Sequence, residues 1–109
     1  MSIETTGREK SGRLLLVDDE QGVLQALKRL FYRHYDVVLA NGGEEALSIL
    51  ETDSFDMIIS DMRMPGMSGA ELLKSCFEQY PAMIRVLLTG YSDLDSAIKA
   101  VNEGNIYRY

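Results

Sequence analysis

The chain has 109 residues, with 17 Asp or Glu against 11 Lys or Arg and a formal net charge of −6. That length suits one domain with a modest core, and the acid excess argues against nucleic acid or an anionic membrane surface as a direct partner. No apolar stretch approaches the roughly 20 residues of a membrane-spanning helix, and no signal-peptide core follows Met1. Cys76 is the only cysteine, so no internal disulfide forms, which fits a reducing, cytoplasmic location.

Residues 1–12 are polar, carry Gly7 and Gly12, and read as a flexible leader to a domain over 13–109. Leu14-Leu15-Leu16-Val17 then runs into Asp18-Asp19-Glu20. A short run of branched apolar residues bounded by turn residues reads as a buried parallel strand, here 14–18. Val23, Leu27, Leu30 and Phe31 recur at helical spacing and predict a helix over 20–33. Residues 35–40 make a second, shorter strand. Asn41-Gly42-Gly43 turns the chain, and Ala46, Leu47 and Leu50 give the next helix its apolar face.

The third strand covers 55–61, where Met57-Ile58-Ile59-Ser60 runs into Asp61-Met62-Arg63-Met64-Pro65-Gly66. Ser68 followed by Glu71 is a capping-box pattern. Leu73, Cys76 and Phe77 form the buried stripe of the helix it opens, and Pro81 follows its end. Ile84-Arg85-Val86-Leu87-Leu88 gives a fourth strand over 84–89, ending in Thr89-Gly90. Ser92 or Asp93 caps a helix carrying Leu94, Ala97, Ile98 and Val101, with Gly104 at its C-terminal end. Residues 106–109 begin a fifth strand.

Such alternation implies an α/β fold: a parallel sheet with right-handed crossovers and helices on both faces. Ligand sites in these sheets lie at the carboxyl ends of the strands. Asp18, Asp19 and Asp61 therefore meet at one edge, with the Thr89 hydroxyl beside them. Three carboxylates in one place repel, and a hard divalent cation with oxygen ligands relieves them, Mg²⁺ above all. Each residue also has a plainer reading. Asp19 can be an N-cap, Asp61 a turn initiator and Thr89 a satisfied strand-end hydroxyl. Glu20 reads as facing solvent near the site. His34, the only histidine, reads as a surface residue at the end of the first helix. Cys76 lies on the apolar stripe and reads as core. Met62, Met64 and Met67 either pack the loop after Asp61 or offer an adaptable docking surface.

An acid pair, a single acid and a hydroxyl, each closing an apolar strand in that order, resemble the receiver domain of bacterial two-component response regulators. The resemblance runs from about Arg13 to Tyr109. It is sharpest over 61–69, with Pro65 four places after Asp61 and Gly69 opening the next helix. It implies a flavodoxin-like, doubly wound sheet of strand order 2-1-3-4-5, whose switch point lies between the first and third strands. It implies that Asp61 accepts a phosphoryl group from a sensor histidine kinase and switches an output domain or downstream protein. By the same resemblance Asp19 and Asp61 ligate Mg²⁺ directly, Asp18 mainly through water, and the backbone carbonyl of Arg63 adds another oxygen. Thr89 donates to a phosphoryl oxygen. Arg63 and Tyr91 flank the phosphoryl pocket, and this bulky pair points to slow hydrolysis.

Two other readings stay open. A degenerate receiver would bind partners without phosphoryl transfer. A haloacid-dehalogenase-type phosphatase needs a second acid two places after its nucleophile, where this chain has Arg63. Receivers also carry a lysine near the end of the fifth strand, then proline and a last helix. Tyr109 matches the aromatic place next to that lysine, and Arg108 would sit roughly 13 Å short of it along the strand. The sequence therefore predicts a receiver incomplete in its fifth strand, phosphorylated about a hundredfold slowly for want of one charge partner. It also predicts a homodimer through the face built by the fourth helix and fifth strand.

Overall fold

The computed structural model describes residues 10–89 and the short strand Tyr107–Arg108. In chain order it has β1 (Arg13–Val17), α1 (Gln21–Phe31), β2 (Asp36–Ala40), α2 (Gly43–Thr52), β3 (Met57–Asp61), α3 (Gly69–Gln79), β4 (Ile84–Leu88) and β5 (Tyr107–Arg108). The strands form one parallel sheet in the order β2-β1-β3-β4-β5, the flavodoxin-like arrangement expected. The helix expected around Leu94–Val101, its Gly104 cap, Tyr91 and Tyr109 lie outside the described residues, as do residues 1–9 of the leader.

β1 sits between two partners, with Leu14 to Val17 in register against both β2 and β3. Side chains alternate across a strand, so its unbroken apolar run serves two cores. Leu15 and Val17 join Ile58 and Leu87 under α2 and α3, against Leu50, Leu72, Leu73 and Cys76. Leu14 and Leu16 join Ile59 on the other face, against Leu24 of α1. Each fully buried leucine contributes roughly 1.5–3 kcal/mol relative to exposure, so this double-sided strand anchors the sheet.

Local signals set the helix ends. The Ser68 capping box forms: Glu71 N donates to Ser68 Oγ at 3.2 Å and Ser68 N donates to Glu71 Oε1 at 2.9 Å. α1 starts at Gln21 behind Glu20, whose side chain makes no cap hydrogen bond. It stops at Phe31, whose carbonyl accepts from His34 N and Tyr35 N. His34 is exposed there, as expected.

The helix stripes differ from the expected ones by a residue or so. On α1 the buried residue is Leu24, flanked by Leu27 and Phe31, while Leu30 is 66% exposed. Leu30 lies at the rim of an apolar cavity of about 620 Å³ that Phe31, Tyr35, Met57 and Val86 also line. On α3, Leu72 is buried and Phe77 only half-buried. Phe77 lies against a buried cation instead: the Arg85 guanidinium stacks over its ring at 5.0 Å. That guanidinium also donates to the carbonyls of Pro81 and Met83. Residues 10–12, grouped with the leader on composition, run beside the start of β2. Lys10 Nζ donates to Tyr32 O, and Asp36 N to Gly12 O at 2.9 Å.

Candidate functional site

Three chain segments meet at the carboxyl edge of the sheet. β1 ends at Val17 and delivers Asp18 and Asp19; β3 ends on Asp61; β4 ends at Leu88 and delivers Thr89. One carboxylate oxygen from each of Asp18, Asp19 and Asp61 lies within 4.8 Å of the others. The cluster grades from buried Asp18 through half-buried Asp61 to exposed Asp19. Thr89 is half-buried and follows Leu88, whose carbonyl accepts from Met62 N at 3.0 Å. Glu20 and Arg63 are exposed, Arg63 two places beyond Asp61 on the β3–α3 loop.

Crowding shows in the electrostatics. Burial pushes the Asp18 carboxyl above its ordinary 3.8, and the neighbouring Asp19 and Glu20 charges push the same way. The Glu20 N–H, 2.9 Å from Asp18 Oδ1, opposes them. Asp61 is raised too, first by burial and then by the charges of Asp18 and Asp19, against backbone hydrogen bonding from Met62 and Arg63. The site favours a cation or a proton over three bare charges.

The backbone around Asp61 is held tightly. Ser60 Oγ donates to the Asp61 carbonyl at 3.0 Å, and Gly69 N donates to Met62 O at 2.9 Å. α3 abuts that carbonyl so closely that a Cβ built on Gly69 would lie 2.1 Å from it. Gly66, after Pro65, takes the left-handed φ of 77° that turns the loop. At the rim, Gln21 Nε2 donates to Asn41 Oδ1, linking the acid-pair loop to the β2–α2 corner. Met64 is buried, and Met62 and Met67 pack against the core, so these three methionines fill space beneath the loop.

Of the residues singled out from the sequence, the structure groups the carboxylates of Asp18, Asp19 and Asp61, and Thr89 follows the end of β4. Sequence reasoning did not assign Ser60, Gln21 or Asn41 to the site. Ser60 had a signal, a hydroxyl placed inside an apolar strand. The others meet only through tertiary contact.

Known proteins resemble the chain along most of its length. It is 36% identical over 101 residues to the hydrogenase transcriptional regulatory protein HoxA of Cupriavidus necator, covering 93% of this chain and 21% of that protein. It is 38% identical over 96 residues to the transcriptional regulatory protein GlrR of Escherichia coli, covering 87% of this chain and 22% of that protein. The chain thus spans about a fifth of the length of these curated relatives. The signal receiver domain of an HD domain-containing protein from Pseudomonas fluorescens Pf-5 superposes with a TM-score of 0.84 at 40% identity. That alignment covers 94% of this chain and 81% of the other. The family model for the response regulator receiver domain matches residues 14–107. A match that runs from β1 into β5, on a sheet of the same strand order, makes this chain a member of the response regulator receiver family.

Proposed function

We propose that this chain is a phosphoacceptor: Asp61 takes a phosphoryl group from a sensor histidine kinase, at a Mg²⁺ site built from the neighbouring acids. One observation carries the reading, the convergence of the Asp18, Asp19 and Asp61 carboxylates within 4.8 Å at the end of β1 and β3. The donors fit the ion. All are oxygens, as a hard cation requires. Burial raises both the Asp18 and Asp61 carboxyls, helped at Asp18 by the Asp19 and Glu20 charges and at Asp61 by the Asp18 and Asp19 charges. Asp19 and Asp61 would bind directly, Asp18 mainly through water, and the Arg63 carbonyl would add an oxygen. The ion, when bound, neutralises charge on the acceptor and the incoming phosphoryl group.

Asp61 performs the transfer. A carboxylate oxygen attacks phosphorus in line, the phosphorus–nitrogen bond to the donor histidine breaks, and an acyl phosphate forms. Ser60 Oγ and the start of α3 hold the Asp61 backbone while its side chain reacts. Thr89 would donate its hydroxyl to a phosphoryl oxygen as charge settles there. The chemistry is confined to phosphoryl acceptance and hydrolysis on this chain, so it is not an enzyme toward another substrate. Its partners are the kinase in the cytoplasm and an output domain or downstream protein. The relatives' names support that placement, since HoxA and GlrR are transcriptional regulators several times its length.

The test is intact-mass spectrometry after incubation with acetyl phosphate, with and without Mg²⁺. The parent protein should gain one phosphoryl mass only with Mg²⁺ and lose it to hydroxylamine. Asp61→Asn should gain none. Continued labelling of Asp61→Asn, or a parent protein that never labels, overturns the proposal.

A further inference from the structure

We infer that the Asn41-Gly42-Gly43 corner is a brace that holds the two acid-bearing loops together, and that Gly43 and Met67 are positioning residues for the metal site. The inference rests on the Mg²⁺ reading above. The carboxylates where these loops begin repel one another, and the corner contacts α1 on one side and the β3–α3 loop on the other.

Toward the acid pair the corner makes one hydrogen bond, from Gln21 Nε2 at the start of α1 to Asn41 Oδ1. Just before the corner, the last residue of β2 holds the acid pair directly, as Asp18 N donates to Ala40 O at 3.2 Å. Asn41 is itself fixed, because its N–H donates to Glu45 Oε1 at 2.6 Å. Toward the β3–α3 loop the contact is steric. A Cβ on buried Gly43 would lie 2.7 Å from Met67 Sδ, 3.0 Å from its Cβ and 3.1 Å from its Cγ. Met67 therefore seats directly on the glycine backbone. It belongs to the loop that carries the Arg63 carbonyl, two residues before Gly69 closes on the Asp61 backbone. Any push on Met67 bears on that loop.

The adjacent glycine supplies the control. Gly42 has an extended φ of −179° that any residue adopts, and nothing lies within 4 Å of its added Cβ. Two neighbouring glycines thus differ in what a methyl group would meet.

The experiment compares Gly43→Ala, Gly42→Ala, Met67→Ala and the double variant Gly43→Ala/Met67→Ala with the parent. Mg²⁺ affinity is read by calorimetry, and backbone amide exchange of residues 62–69 is read without metal. Gly43→Ala and Met67→Ala should each weaken Mg²⁺ about tenfold, the usual scale for losing an outer support of a metal site. Both should speed exchange in the loop. Gly42→Ala should match the parent in both readings. The double variant should lose less than the product of the two single losses, because the new methyl occupies space the thioether vacates. Met67→Ala only removes atoms, so it judges the brace even if Gly43→Ala fails to fold. Parent-like affinity and exchange in Met67→Ala, or strictly additive effects, overturn the brace. A parent that binds no Mg²⁺ overturns the metal reading, while the metal-free exchange data still judge the brace.

Discussion

Gly69→Ala sets two known effects against each other. Alanine is preferred to glycine in a helix by about 1 kcal/mol, and Gly69 opens α3 with a φ outside the left-handed region. Propensity alone would make the substitution stabilising. Packing reverses the sign. The new Cβ would sit 2.1 Å from Asp61 O and 2.9 Å from Leu87 Cδ1. Carbon–oxygen contacts settle near 3.3 Å, so the start of α3 and the end of β3 must part by about 1.2 Å. The nearest atom is backbone, so no side chain can rotate away. Forced overpacking costs about 1–3 kcal/mol, and more where backbone must move, so a net loss of about 1–2 kcal/mol is expected. The displaced group is the acceptor itself, and a misplacement near 1 Å can cost about a hundredfold in rate. Urea denaturation and acetyl phosphate labelling read the two losses separately. Gly22→Ala on α1 is the reference, because nothing lies within 4 Å of its Cβ. It should gain up to about 1 kcal/mol and label normally. Were Gly69→Ala as stable as Gly22→Ala, or to label at the parent rate, the argument from close approach would fail.

Two further perturbations probe the same region. Asp18 and Asp61 have carboxyls raised above 3.8, so the native state binds protons more tightly than the unfolded chain. Their contribution to metal-free stability is full below that value and is lost as pH rises through the raised ones; Asp61→Asn should flatten this slope in urea titrations from about pH 4 to about pH 7. An unchanged slope would place the effect elsewhere. Ser68→Ala removes one bond of the capping box and should cost about 1 kcal/mol in thermal unfolding.

The strand-end carboxylates were legible because the rule that exposes them is local. An apolar run stops, an acid follows, and a parallel sheet brings such ends to one edge. The capping box at Ser68 was legible for the same reason, as its two bonds close within four residues. The helix stripes were less so. Leu30 fits the periodicity of α1, yet burial depends on where the helix crosses the sheet, and the stripe that touches β1 is Leu24, Leu27 and Phe31. β4 inverts hydropathy outright: Ile84 is 45% exposed and Arg85 is 3% exposed. The arginine is tolerated because two carbonyls and the Phe77 ring receive its guanidinium, partners from outside its strand that no pattern within β4 announces.

What positions the acids is largely the absence of side chains. Gly69 lets α3 close on the Asp61 carbonyl, and Gly43 lets α2 receive Met67. The Gly69 contact seats α3 on the backbone of Asp61, whose carboxylate its acidic neighbours repel, and does nothing to offset that repulsion. The energy comes from the two cores on either side of β1, where Leu14 to Val17 are almost wholly buried. A rigid, doubly covered strand can hold Asp18 and Asp19 against repulsion that would spread them in a flexible loop. On the Mg²⁺ reading, that same repulsion is relieved when the ion binds, so the interaction that weakens the metal-free protein strengthens its affinity. Loosening the corner or the α3 start should therefore weaken the grip on the metal, whatever packing energy the change also loses.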